Sequence, residues 1–280
     1  MTKIAVFGLG SIGQRHVKNL LEMGETDLLG CDVRTGDEGF TPDLPIPITS
    51  AASMVWDWKP DVVLVCVPPV GHYAIANRAI QAGAHVFIEK PMATTELECE
   101  HLRFQAKEEG VQLAVGYQLP FHVLPFGARW TGTETLHVTH AQDMGQWPSQ
   151  YQKNVLGEFS HELALACYVH GPVKELAAYE REAGLRWNIE LKHLHARSSV
   201  QLFAGPGPYL RTGFVGGHSA WCFNKEENDQ AYKDELRAFL DACRGKGWDD
   251  RLCSGVEAAH VVRIIEACRE STQECKVVTL

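Results

Sequence analysis

Three glycines in six residues, Gly8-Leu-Gly-Ser-Ile-Gly13, stand where a short apolar run, Ile4 to Phe7, gives way to a segment of helical spacing. In that context the pattern binds the pyrophosphate of a dinucleotide. Gly8 makes the tight turn, Gly10 lets the backbone approach the phosphates, and Gly13 lets helix and strand pack closely. Ser11 and Ile12 open the helix, where unpaired N–H groups and the macrodipole favour an anion. Asp32 lies nineteen residues beyond Gly13 at the end of the next apolar run, the place of a carboxylate that holds both adenosine ribose hydroxyls. Such a carboxylate repels a 2′-phosphate, so the expected cofactor is NAD. Arg34 leaves NADP as the alternative, because its guanidinium can pair with a 2′-phosphate, stack on adenine or stay a solvated loop cation.

A turn of this kind needs alternating strands and helices behind it. Runs rich in β-branched residues predict strands over Ile4 to Phe7, Leu28 to Val33, Val62 to Val67, His85 to Ile88 and Gln112 to Val115. Between them, Ser11 to Met23, Ser50 to Trp58, Gly71 to Ala82 and Thr94 to Glu109 carry apolar residues three and four apart, several behind a Ser or Thr N-cap. Thr41-Pro-Asp-Leu-Pro-Ile-Pro47 excludes a helix and reads as an extended surface connection. After Tyr117 the strand-like segments follow one another with fewer helices: Glu134 to His140, Lys174 to Glu180, Trp187 to His195, Ser199 to Phe203, Leu210 to Val215 and His218 to Phe223. Helices are predicted over Glu158 to Val169, Asp229 to Arg244 and Gly255 to Ser271. The expected fold is α/β, with an N-terminal Rossmann-type doubly wound parallel sheet over residues 1–117. A C-terminal α+β domain with a large, mostly antiparallel sheet follows over 118–280.

Composition removes other classes of function. The chain has 280 residues with 26 Lys+Arg against 35 Asp+Glu, a formal charge of −9, and no basic block, so nucleic acid is not an expected partner. The strongest apolar run, Asp61 to Val70, is too short to span a bilayer, which needs about 20 residues. Met1 to Val6 enters a strand without a secretory pattern, which makes the cytoplasm the default expectation. Nine scattered cysteines with no Cys-x-x-Cys suggest neither a disulfide framework nor a zinc site. His193 and His195 share a predicted strand face but lack a third ligand nearby, so they read as solvated sheet histidines and no metal is expected. Tyr117, Gln118 and His122 follow the last strand of the first half, where such folds place ligand contacts, and read equally as substrate lining or as interdomain packing.

The turn Gly8-Leu-Gly-Ser-Ile-Gly-Gln-Arg-His16, the stretch Val67-Pro-Pro-Val-Gly-His72 and Ala82-Gly-Ala-His-Val-Phe-Ile-Glu-Lys-Pro-Met-Ala93 together resemble the glucose-fructose oxidoreductase, inositol dehydrogenase and MocA family (Gfo/Idh/MocA). Gly116-Tyr-Gln-Leu-Pro-Phe-His122, Ser160-His-Glu-Leu163 and the closing helices extend the likeness into the second half, which most resembles members from surface-sugar biosynthesis. The resemblance implies an NAD(P)-dependent enzyme moving hydride between nicotinamide C4 and a secondary carbon of a sugar, polyol or nucleotide sugar. It implies cofactor contacts at Pro68, His72, Glu89 and Lys90, with Lys90 also at the reacting hydroxyl, a cis peptide before Pro91, and His161 as proton acceptor.

Removing hydride from a carbinol carbon leaves a proton on its oxygen, and a base near neutral pKa removes it most efficiently. Histidine starts in that range. A lysine serves as base if burial depresses its pKa, or stays charged and stabilises an alkoxide. Two acids that family members carry around this histidine are replaced by Gly157 and Ala164, and Glu158 is the expected substitute. Pro120 stands where many relatives have arginine, and the segment from Gln146 to Gly157 is short. These departures leave a rival reading: a catalytically weak or inactive dinucleotide-binding protein, acting as a redox sensor or assembly partner. Leu202, Phe203, Leu210 and Phe214 would leave an apolar sheet face open in a monomer, which predicts a homodimer or homotetramer.

Overall fold

The structure is a computed structural model that describes residues 2–40, 42–123, 134–145, 147, 154–206, 209–215, 218–222 and 228–280. Thr41, Gln146 and Phe223, on which expectations above fall, lie outside the described residues. In chain order the elements begin β1 (Ile4–Phe7), α1 (Ser11–Glu22), β2 (Leu28–Cys31), β3 (Ile48–Thr49), α2 (Ala52–Trp58), β4 (Val62–Val65), α3 (His72–Gln81), β5 (His85–Glu89), α4 (Glu96–Glu108), β6 (Leu113–Gly116) and α5 (Leu119–Val123). They continue with β7 (Leu136–Gln142), α6 (Val155–Glu158), α7 (Ser160–His170), β8 (Val173–Arg181), β9 (Arg186–His193), β10 (Arg197–Ala204), β11 (Leu210–Val215) and β12 (His218–Cys222). The last are α8 (Asn228–Cys243), β13 (Cys253–Ser254), α9 (Gly255–Glu274) and β14 (Val278–Thr279).

The chain divides into two compact units, 1–116 with 229–256 and 117–228 with 257–280. A single cut at 117 therefore differs from the observed grouping, because the chain returns to the first unit late. Tyr232 of α8 sets its ring edge-on to His16, Phe239 packs 5.5 Å from Phe87, and β13 pairs antiparallel with β6. These partners are more than a hundred residues away, beyond the reach of local pattern.

In the first unit the sheet order is β13-β6-β5-β4-β1-β2-β3, parallel throughout except at β13. Val62-Val-Leu-Val65 is wholly buried, as a strand with helices on both faces requires. Buried Gly13, His16, Val17 and Leu20 make the inner face of α1, at the three-and-four spacing of the sequence pattern. Thr95 and Glu98 close a capping box at the start of α4. Two predicted strands end early: β4 stops at Val65 and β2 at Cys31, leaving Val33 exposed. The Pro-spaced connection leads into the short edge strand β3.

In the second unit the order is β12-β11-β7-β10-β9-β8-β14, antiparallel except for the parallel pair β7 and β10. Strand periodicity corrects two expectations. Leu202 is fully buried while its neighbour Phe203 is part-exposed, because successive side chains face opposite ways; Leu210 and Phe214 remain 41% and 40% exposed. β9 ends at His193, whose ring is buried against Gly171 O and Ser198 Oγ, whereas His195 is exposed beyond the strand. The two histidines thus share neither a face nor solvent. Among the described residues no helix is long and apolar enough to cross a membrane.

Candidate functional site

At the end of β1 the backbone must reverse with almost no room. Gly8 sits at φ +87°, and a Cβ there would lie 2.6 Å from the Cys66 carbonyl atoms. A Cβ on Gly13 would run into Gly8 O. Gly10 differs: among the described residues a Cβ there would meet only Arg34 Nη2, at 4.0 Å. Gly10 caps α1 without a side chain, and no acidic residue stands in the first turn. The N–H groups of a twelve-residue helix, with exposed Ser11 and part-buried Ile12 leading it, are thus left for an external anion. These residues fit a dinucleotide pyrophosphate.

Asp32 is buried just past β2, and its carboxylate is already in use. Oδ2 accepts from Leu9 N at 2.7 Å and Arg34 Nη2 at 2.7 Å, and Oδ1 accepts from Arg34 N and Nε. Burial alone would raise its pKa, but the Arg34 and Leu9 donors hold it below the ordinary value. The Arg34 guanidinium also lies 4.0 Å over the Phe40 ring. Arg34, half-exposed, thus lies over the Asp32 carboxylate.

At the carboxyl end of β5 stands part-buried Lys90, and the Lys90–Pro91 peptide is cis, as the resemblance implied. Glu89 and His72 brace this corner. Glu89 Oε1 meets buried His16 Nε2 at 2.6 Å, and Oε2 accepts from Lys90 N. Burial acts to raise the Glu89 pKa, but His16 and Lys90 hold it below the usual carboxylate range. Both ring nitrogens of His72 lie 2.8 Å from carbonyl oxygens, those of Pro91 and Val67. Burial pushes its pKa down, and a neutral ring donates to one of the two. Glu89 and His72, expected at the cofactor, have their polar atoms turned to their own unit; Pro68, between β4 and α3, is exposed.

In the second unit Tyr117 and Gln118 are buried. Tyr117 meets the His161 ring edge-on at 5.5 Å and donates to Ser160 Oγ, and Gln118 Nε2 donates to Asn228 Oδ1. His122 is part-buried in α5. Glu158 and His161 are both 8% exposed, at the end of α6 and in the first turn of α7.

Residues 2–117 match the oxidoreductase family with the NAD-binding Rossmann fold, GFO_IDH_MocA. The match covers 116 of the 280 residues. The chain is 46% identical over 115 residues to scyllo-inositol 2-dehydrogenase (NADP(+)) IolW of Bacillus subtilis, covering 40% of this chain and 32% of the relative. It spans about a third of the length of the first two curated relatives it matches. Solved structures share the fold along the whole chain. UDP-N-acetylglucosamine 3-dehydrogenase GnnA from Acidithiobacillus ferrooxidans superposes with a TM-score of 0.82 at 17% identity, over 97% of this chain and 98% of that one. The WlbA dehydrogenase from Thermus thermophilus, in complex with NAD and UDP-GlcNAcA, gives 0.79 at 20% identity over 96% and 95%.

Two clusters beside these family residues escaped the sequence reading. One is the His16–Glu89 pair. The other is a buried triad in which Arg211 Nε donates to Glu162 Oε1 at 2.6 Å while His140 Nδ1 lies 3.1 Å from the same oxygen. No spacing rule joins positions 140, 162 and 211; only the register of β7 and β11, which places Arg211 opposite His140, brings them together.

Proposed function

We propose that this chain is an NAD(P)-dependent oxidoreductase that transfers hydride between nicotinamide and a secondary hydroxyl or carbonyl of a sugar, polyol or nucleotide sugar. The observation that carries the reading is the open, uncapped start of α1 behind a glycine turn with no room for side chains. NAD(P), when bound, supplies the hydride acceptor or donor. The turn Gly8–Gly13 holds its pyrophosphate, and Asp32 takes the ribose once Arg34 swings off the carboxylate; Pro68 and Lys90 border the rest.

Lys90, beside Glu89, holds the substrate oxygen as negative charge develops on it. His161 accepts the hydroxyl proton in oxidation and returns it in reduction. Tyr117 fixes the ring of His161 edge-on, and Ser160, donating to Gly157 O, fixes the turn before it.

NAD is the preferred cofactor, with NADP accepted when Arg34 turns to a 2′-phosphate. The half-exposed Leu210 and Phe214 support a homodimer or homotetramer built on the outer sheet face, and sedimentation as a stable monomer would overturn that part. A panel of inositols, aldoses, amino sugars and nucleotide sugars, read by nicotinamide absorbance with both cofactors, tests the whole reading. Cofactor binding with no turnover on any of them would overturn it.

A further inference from the structure

The family acids expected around His161 are absent at Gly157 and Ala164, and Glu158 looked like their replacement. The structure points elsewhere. Residues 159, 160 and 162 around His161 are each anchored to other parts of the unit. The Phe159 ring stacks on His140 of β7 at 4.1 Å and 23°. Ser160 Oγ receives Tyr117 OH and donates to Gly157 O. Glu162 is fully buried and held by Arg211 of β11 and His140 of β7.

We infer that Glu162, clamped by Arg211 and His140, is the positioning carboxylate of His161: it pins the first turn of α7 to the sheet and places a buried negative charge beside the imidazole.

The side chains carry this without Glu158. Glu162 Oε2 has no hydrogen-bond partner among the described residues, so Arg211 and His140 occupy only the other oxygen, Oε1. Burial would raise its pKa, but Arg211, His140 and His161 hold it far below the ordinary carboxylate value. By reciprocity Glu162 favours the protonated form of His161, the form a proton acceptor must reach. The other charged or titratable groups of the cluster are Glu158 of α6, Tyr117 ahead of α5, His140 of β7, and Tyr209 and Arg211 at β11.

The inference rests on the reading of His161 as the proton acceptor, but its test needs no substrate. Uniformly 13C-histidine-labelled protein is titrated by NMR, with the His161 resonance identified by its loss in H161Q. In E162Q the His161 midpoint should fall by about one pH unit, while E158Q should move it much less. If E162Q fails to fold, E162Q/R211M leaves no unpaired buried charge, and its His161 midpoint should fall relative to that of R211M, an equal midpoint in the two overturning the inference. The acid limb of the pH profile of kcat/KM should follow the same shift. An unchanged His161 midpoint in the folded E162Q protein overturns the inference even if turnover persists. A midpoint that falls in a protein with no turnover leaves it standing and sinks only the dehydrogenase reading.

Discussion

Around the Gly8–Gly13 turn the working atoms are backbone, and apart from Cys66 and Val67 what shapes them lies between Gly8 and Arg34. Around His161 they are side chains, from positions 117, 140, 162 and 211. The first arrangement leaves no room for a side chain at Gly8 or Gly13 and is closed by backbone of the adjoining strand end. The second needs each partner and is assembled only when two strands pair in register. A backbone site breaks by steric intrusion, while a side-chain site breaks by leaving a charge alone.

The sharpest contrast comes from Gly13→Val. Its side chain would collide with Gly8 O, so calorimetric titration with NAD and NADH should show no binding. Normal binding would remove the turn from its role. Lys90→Met leaves the backbone cradle intact; turnover should fall about 1000-fold with NADH affinity changed only a few-fold. Loss of both together would place Lys90 in the cradle instead.

Arg211→Met should destabilise the protein by about 3–5 kcal/mol in urea unfolding, because it strands the buried Glu162 charge, and Glu162→Leu/Arg211→Met should recover most of that loss. A double variant no better than the single would show that packing, not charge, dominates there.

The pH dependence of the second unit supplies a smaller test. Burial pushes His193 down to about 4 from its ordinary 6.5. A folded pKa below the unfolded one means that unfolding takes up a proton between these values. The stabilising contribution is therefore complete above about 6.5 and lost as pH falls toward 4, and His193→Asn should flatten that slope in thermal unfolding. Smallest of all, Arg34→Ala should shift the ratio of NAD to NADP affinity toward NAD by about tenfold, or ~1.4 kcal/mol. A shift toward NADP would show that the guanidinium shields the ribose carboxylate more than it attracts phosphate.

What could be read before folding follows from how short-ranged each cause is. The glycine turn, Asp32, the capping box at Thr95 and Glu98 and the alternation of strands and helices are local rules of conformation, so their residues announce themselves. The Glu89-Lys-Pro91 corner was visible as a motif, but the burial of His72 and Glu89 against their own unit was not. Glu158 is suggested by its offset along the chain, whereas the hold of Arg211 and His140 on Glu162 has no local sequence signal.

The sequence by itself determined the class of the first sheet and its glycine turn, since each depends on neighbours a few positions away, and it proposed Lys90 and His161 through a family resemblance. Only the tertiary structure decided that Arg34 covers Asp32, that residues 229–256 complete the first unit, and that Glu162 finds Arg211 and His140. Those contacts span from 2 to more than 200 positions of chain. They are selected by strand register, ring packing and the cost of a buried lone charge, quantities that exist only once the chain has closed on itself.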